Sequence, residues 1–314
     1  MEVPGISLEY TIKSKFKQLF CKPHVYKTIT NFYGDAIIDM SMGRRETVRS
    51  MLCCVKCGKL KPSPFLDKNC KVVNFDLIHE NGRIRSVKKM RIIEPWITVE
   101  KFDGVKIMKN IERACRTCYR SEGLITEDSY KKLLNNCINR GHESVLEHEK
   151  ITVRMCVDIG VYKDLTRHRF GSFSIESTRY CNYGKDKFEN EIKFINPCNI
   201  DEDSDLYAFW KHTMDRIEMN YIHMSNNGAT PDQMRMILPH STAAEVTMTA
   251  NIREWRHILD LRTKKMTHPS IRQVLIPLLL HFQKEMPELF GAIEYDTDFP
   301  KEKYAKLVVG NEQD

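Results

Sequence analysis

The chain has 314 residues, 49 Lys+Arg against 42 Asp+Glu, a net charge of +7 and 41% hydrophobic residues. That supplies one large domain or two smaller ones with a proper core. Residues 1–100 hold 18 Lys+Arg against 10 Asp+Glu, and the remainder 31 against 32, so the body is not a generally basic nucleic-acid binder.

The N-terminal MEVPGISLEY lacks a basic region followed by an apolar one, so no secretory signal is read there. No apolar run reaches the roughly 18 residues of a spanning helix. The best candidate, Val274 to Phe282, is short and contains Pro277. A soluble, cytoplasmic protein without membrane association is expected. Its eleven cysteines form an odd set scattered over a mid-sized chain, which predicts reduced thiols rather than a disulfide scaffold.

A boundary is expected near residue 95. Residues 1–95 read as a basic, cysteine-containing extension of unknown fold and function. Within it, MLCCVKCGKLKPSPFLDKNC reads as loop or small-module sequence, followed by strand-like runs around Val72–Ile78 and Met90–Ile93. Cys54 and Cys57, with Cys70 and also Cys53 and His79 nearby, can be arranged around zinc. A second CxxC pair at ribbon spacing is missing, so unligated thiols and no metal are expected. The extension could contact nucleic acid or a protein partner; nothing in its sequence decides.

Downstream the periodicities sharpen. Apolar residues from Val105 to Tyr119 recur at helical spacing. Thr126 can cap a second helix that runs to Asn139 and ends at Gly141. KITVRMCV alternates as a half-buried strand does. A short helix follows over Tyr162–Thr166, then a polar stretch and a strand over Lys193–Asn196. Ser204 caps a long helix from Asp205 to Ser225, and TPDQMRMIL forms a short helix with Pro in its first turn. AEVTMTANI is a strand, REWRHILDLRT a helix, and PSIRQVLIPLLLHFQKEM a long apolar-faced helix. The class is α+β from residue 96 to 300, a mixed or antiparallel sheet with long flanking helices, and residues 301–314 read as a tail.

Three constellations carry chemistry. RHRFGSFSIESTRY puts Arg167, His168, Arg169 and Arg179 beside Ser172, Ser174, Ser177 and Thr178. Arginines give bidentate, charge-assisted hydrogen bonds to phosphate oxygens and the hydroxyls complete a cradle; the same composition also suits a solvated face. GHESVLEH sets His142 and His148 six residues apart, which is not the spacing of a helical metal pair. MRMILPHSTAAEVTMTANIREWRHILDLR carries Arg235, Asn251, Arg253, His257 and Arg262. Arg262 at a helix end complements the dipole, or lines a pocket that reads a ring edge.

Jointly these blocks resemble the flavin-dependent thymidylate synthases. RHR, seven residues, then Ser177, closing with STRY, matches that family's signature. GHESVLEH and RMILP…TANIREWRHILDLR match its other two blocks, in order, over residues 97–295. The resemblance implies reductive methylation of dUMP to dTMP. The carbon comes from 5,10-methylenetetrahydrofolate, the reducing equivalents from NADPH, and a bound FAD carries the hydride. It implies that Arg262 polarises the pyrimidine as the catalytic residue. Asp164, Arg167, Glu176, Ser177, Thr178, Arg179 and Arg235 would bind dUMP with it, and His142, Ser144, Arg167, His168, Arg169, Asn251, Arg253 and His257 would bind FAD. It also implies a homotetramer.

Ser177 reads as a nucleotide contact rather than a nucleophile, since no adjacent base is assured. The chain departs from the common pattern at Ile175, which cannot make a polar contact, at Asp164, where Gln is frequent, and at THPSIR, with His268 and Ser270 in place of Gln and Glu. Those departures keep open a flavin-dependent C5-methylase or hydroxymethylase of another uridine nucleotide. Cys198 in NPCN superficially suggests the nucleophile of a conventional thymidylate synthase, but its surroundings do not match. From another class, the basic first 95 residues keep open a nucleic-acid-binding or interaction protein.

Overall fold

The computed structural model describes residues 90–185 and 191–310, together with the backbone of five short strands before residue 90. The chain folds as two compact units, Met1–Val87 and Lys88–Asp314. In the first, Tyr26–Thr28, Met51–Cys54 and Leu60–Pro62 form an antiparallel three-stranded sheet, and Leu77–Ile78 pairs with Ile84–Arg85. Two stretches of the segment expected as loop or small module are therefore strand. Cys57, Cys70 and His79 of the zinc candidate lie outside the described residues, and only the backbone is described at Cys53 and Cys54.

The second unit begins with β1 (Arg91–Ile93), β2 (Trp96–Val99), α1 (Gly104–Thr117) and α2 (Ser129–Asn139). A 3-10 segment, Glu143–His148, leads into β3 (Lys150–Asp158), α3 (Ile159–Leu165), β4 (Gly171–Ile175) and β5 (Lys193–Ile195). Then come α4 (Asp205–Asn226), α5 (Pro231–Met234), β6 (Ala243–Asn251), α6 (Ile252–Arg262), α7 (Pro269–Glu285), α8 (Pro287–Phe290) and β7 (Lys306–Val309). The main sheet has the order β7-β2-β3-β6-β4, antiparallel except for the β7–β2 pair, and β1 pairs in parallel with β5. This is the expected α+β class.

Period-two alternation decides which face is buried. Ile97 and Val99, Ile151, Val153, Met155 and Val157, and Val246, Met248 and Ala250 all enter one core with α1, α2, α6 and α7. The opposite face carries polar pairs, including Thr152 Oγ1 to Thr249 Oγ1 at 2.8 Å and Arg154 with Glu245. A smaller core gathers Phe194, Met214, Tyr221 and Met234 around α4. α1 runs hard against the end of α7. A Cβ on Gly104 would stand 2.3 Å from the Glu285 carbonyl oxygen, so glycine permits the approach.

Several boundaries differ from expectation for local reasons. α2 starts at Ser129, not Thr126, because Ser129 Oγ accepts from the Thr126 amide at 2.9 Å and closes the turn ahead of the helix. α3 starts three residues early because the Asp158 side chain caps it, accepting from Val161 N at 2.7 Å. Ser204 caps α4 as expected, accepting from Tyr207 N. Gly141 closes α2 at φ +71, where the His142 amide reaches back to the Cys137 carbonyl at 2.8 Å. Residues 90–93, expected upstream of the boundary, supply β1 of the second unit, and residues 301–310, expected as tail, supply β7.

Candidate active site

The signature segment is not a loop throughout. Gly171–Ile175 forms the edge strand β4, in register with β6 from Val246↔Ile175 to Ala250↔Gly171. Phe173 and Ile175 pack on the main core, so the side chain at the departed position 175 contributes to packing. Beyond the strand, Glu176 is engaged by the protein itself. It accepts from the Tyr183 hydroxyl at 2.9 Å and from Glu245 N at 3.3 Å. The hydrogen bond, the adjacent negative charge and above all burial hold the Tyr183 proton in place.

Before the strand, α3 ends at Leu165 and delivers Arg167, His168 and Arg169. His168 is buried while its two neighbours are exposed. Its Nε2 lies 3.1 Å from Arg262 Nε, its Nδ1 3.4 Å from Glu254 Oε1, and its ring meets His257 edge-on at 5.6 Å. Burial first, then the charges of Arg262 and His257, push its pKa down to about 4, so the ring is neutral at pH 7. Arg262, at the C-terminal end of α6, also donates through Nη2 to the Asp164 carbonyl at 3.2 Å. Arg262 thus stands at a helix end and contacts a buried histidine, while it does not itself line the cavity beside that histidine.

His168 forms part of the wall of a cavity of about 1010 Å³, whose lining also includes Arg167, Arg169, Asn251, Arg253 and His257. The β6–α6 junction organises this wall. Asn251 Oδ1 accepts from Glu254 N at 2.8 Å and caps α6. Arg253 and Arg256 are held by acidic residues of the Glu143–His148 segment. Arg253 donates to Glu147 at 2.7 Å, and Arg256 reaches Glu143 at 3.5 Å. The structure thus brings together six of the eight residues expected at a flavin site. His142 and Ser144 are exposed and do not line the cavity.

The expected phosphate ligands form a second group. Arg179 and Arg235 each place Nε 3.5 Å from the same oxygen of Asp232, on α5. Ser177 Oγ accepts from Arg179 N at 3.4 Å, in the turn that also carries Thr178. Cys198 does not line the cavity, and burial raises its thiol pKa. His268, one of the departed positions, caps α7 through Nδ1, accepting from Ser270 N at 3.2 Å.

Sequence reading missed Asp232, Arg256 and Glu254, and noted Glu143 and Glu147 only as the carboxylates between His142 and His148. A signal existed for Glu254. It stands one helical turn from Ile258, on the face that buries Trp255 and Ile258, and a carboxylate on such a face needs a partner. No group of three or more His, Cys, Asp or Glu residues suited to a metal is found among the described residues. No helix there is long and apolar enough to cross a membrane.

Residues 105–288 match the family described as thymidylate synthase complementing protein, Thy1. The flavin-dependent thymidylate synthase of Pyrococcus furiosus is 31% identical over 162 residues, which are 51% of this chain and 65% of that protein. A UMP/dUMP methylase, PolB, from Streptomyces cacaoi, solved with 5-Br dUMP, aligns with a TM-score of 0.54 at 20% identity, over 65% of this chain and 96% of its own. Thymidylate synthase X from Helicobacter pylori, solved with FAD and dUMP, aligns at 0.51 and 20%, over 62% and 97%. The fold is theirs, and with more than half of its length inside the family match, the chain belongs to the thymidylate synthase complementing protein (Thy1) family.

Proposed function

We propose that the protein is a flavin-dependent thymidylate synthase, converting dUMP to dTMP with 5,10-methylenetetrahydrofolate and NADPH as co-substrates. The observation that carries this reading is the contact of His168 with Arg262. It joins a wall of the large cavity to a guanidinium free to meet a second ligand. The cavity volume of about 1010 Å³ stands at the upper end for small-molecule sites, as a dinucleotide requires. Arg167, Arg169, Arg253 and Arg256 suit its pyrophosphate, and the rings of His168 and His257 suit its apolar faces. FAD bound there would supply the hydride carrier.

The remaining work falls to this chain's residues. Uracil C5 is a weak nucleophile, and negative charge stabilised on the ring carbonyl and N3 raises its reactivity. Arg262 is the group for that task. Its Nε and Nη2 are occupied by His168 and Asp164, and among the described residues Nη1 makes no hydrogen bond. Arg179 and Arg235, with Ser177 and Thr178, bind the nucleotide phosphate, and Arg167, which lines the cavity, serves both ligands. The Arg–Asp232 pairs are largely exposed, with side-chain exposures of 58%, 40% and 60%. Pairs of that kind contribute about 0–1 kcal/mol, so a phosphate dianion can displace Asp232.

A homotetramer and a cytoplasmic location belong to the same reading. The likeness to a UMP/dUMP methylase keeps one alternative substrate, UMP, in view. The deciding experiment follows flavin absorbance of the purified protein under anaerobic conditions. Bleaching by NADPH, recovery on adding methylenetetrahydrofolate and dUMP, and formation of dTMP are expected. A protein that neither carries nor takes up FAD overturns the proposal, and faster turnover of UMP than dUMP redirects it.

A further inference from the structure

We infer that Glu254 is a positioning residue that fixes the tautomer of His168 and, through it, the direction of Arg262. The geometry assigns every proton. An arginine Nε can only donate, so the His168 Nε2 that faces it at 3.1 Å must present a lone pair. A neutral imidazole then carries its proton on Nδ1, the nitrogen that stands 3.4 Å from Glu254 Oε1. Arg262 donates to His168, and the Nδ1 of that ring stands within ion-pair distance of the Glu254 carboxylate.

Glu254 is well placed to hold that end. It is 8% exposed, and its amide is bound by the Asn251 cap in the first turn of α6, where the helix dipole favours a carboxylate. Arg262 is on the same helix two turns later. One rigid element therefore carries both ends of the relay, and His168 enters between them from the α3–β4 connection. The other charged or titratable groups facing the ring are His257 and Arg262 on α6 and Asp164 on α3. None of these supplies the acceptor that the Nδ1 proton needs: Asp164 acts on the ring only at a distance, and His257 meets it edge-on.

Without the carboxylate, the ring is free to move its proton to Nε2. An N–H would then face the guanidinium, and Arg262 would turn away from the position in which Nη1 is directed at a ligand. The loss would fall on the chemical step more than on nucleotide binding, because the phosphate ligands lie elsewhere. This inference rests on the proposed role of Arg262 in dUMP chemistry, but its structural half can be read without any activity.

The experiment compares the whole protein with Glu254→Gln and Glu254→Leu. Solid-state ¹⁵N spectra of histidine-labelled protein report the tautomer, with the His168 signal assigned by its loss in His168→Asn. The expected result is a proton on Nδ1 in the native protein and in Glu254→Gln, whose amide oxygen can still accept, and its loss from that position in Glu254→Leu. In turnover, Glu254→Leu should lower kcat by about 10- to 100-fold, the scale of a small misplacement at a reacting centre. The dUMP KM should stay within about 3-fold, and Glu254→Gln should restore most of the rate. An Nδ1 proton that persists in Glu254→Leu overturns the inference, as does a kcat that Glu254→Gln lowers as far as Glu254→Leu. If no dTMP forms with any protein, the proposed activity fails, while the tautomer spectra still decide the relay.

Discussion

At the scale of single residues, the candidate site is two groups of cations, each paired with internal carboxylates. Asp232 pairs with both Arg179 and Arg235, the two arginines proposed to bind the nucleotide phosphate. Asp232→Asn removes the competitor while leaving the arginines, so dUMP should bind about 3- to 10-fold more tightly, measured by calorimetry. The gain should shrink as salt is raised. Arg262→Ala removes the one donor aimed by His168 and should lower kcat by about 10²- to 10³-fold, the usual cost of losing a group that stabilises developing charge. Binding of the nucleotide should survive in that variant, which ultrafiltration with labelled dUMP can check. The cations of both groups were legible in the sequence because RHR and TANIREWRHILDLR are dense in charge. Asp232 and Glu254 were not, because an isolated carboxylate announces no partner until the chain has folded.

At the scale of elements, helices with a clear apolar stripe or a good cap were readable: α1, α4, α6 and α7 fall within a few residues of expectation. Three strands of the second unit were not. β2 and β7 are four residues each and β4 is five, and β7 pairs with a segment more than two hundred residues away. Short strands are defined by the partner that takes their hydrogen bonds, which no local pattern supplies. The α1–α7 contact is similar. Gly104 looks like an ordinary glycine ahead of a helix, yet the packing leaves no room for a methyl group. Gly104→Ala should therefore destabilise by about 1–3 kcal/mol, read as a lower urea midpoint with an unchanged m-value.

At the scale of the whole second unit, two buried groups oppose each other in their response to pH. Burial pushes the Glu218 carboxyl up to about 7, although it accepts from Ile192 N at 2.7 Å, and Asp215 and Glu191 add to the shift. The carboxyl's folded pKa is raised, so its contribution to stability is complete below the usual glutamate range and is lost as pH rises toward 7. His168 is the reverse. Its pKa falls from 6.5 to about 4, so its contribution is present above 6.5 and is lost as pH falls toward 4. Between about pH 4.5 and 6.5 the two slopes partly cancel. Glu218→Gln should remove the descending one, so that the melting temperature climbs with pH across this window more steeply than in the native protein. Identical slopes in the two proteins would show that Glu218 is not held protonated.

By itself the sequence determined the family resemblance, the α+β class, the main helices and residue types suited to binding phosphate and polarising a ring. These depend on local spacing, capping and charge, which are written along the chain. Only the tertiary structure decided which of those residues meet. It placed His168 between Arg262 and Glu254, joined Arg179 to Arg235 through Asp232, engaged Glu176 with Tyr183, and left His142 and Ser144 outside the cavity. The physical reason is range. A hydrogen bond or ion pair acts over a few ångströms, and packing alone brings residues ninety-four positions apart, such as His168 and Arg262, within that distance.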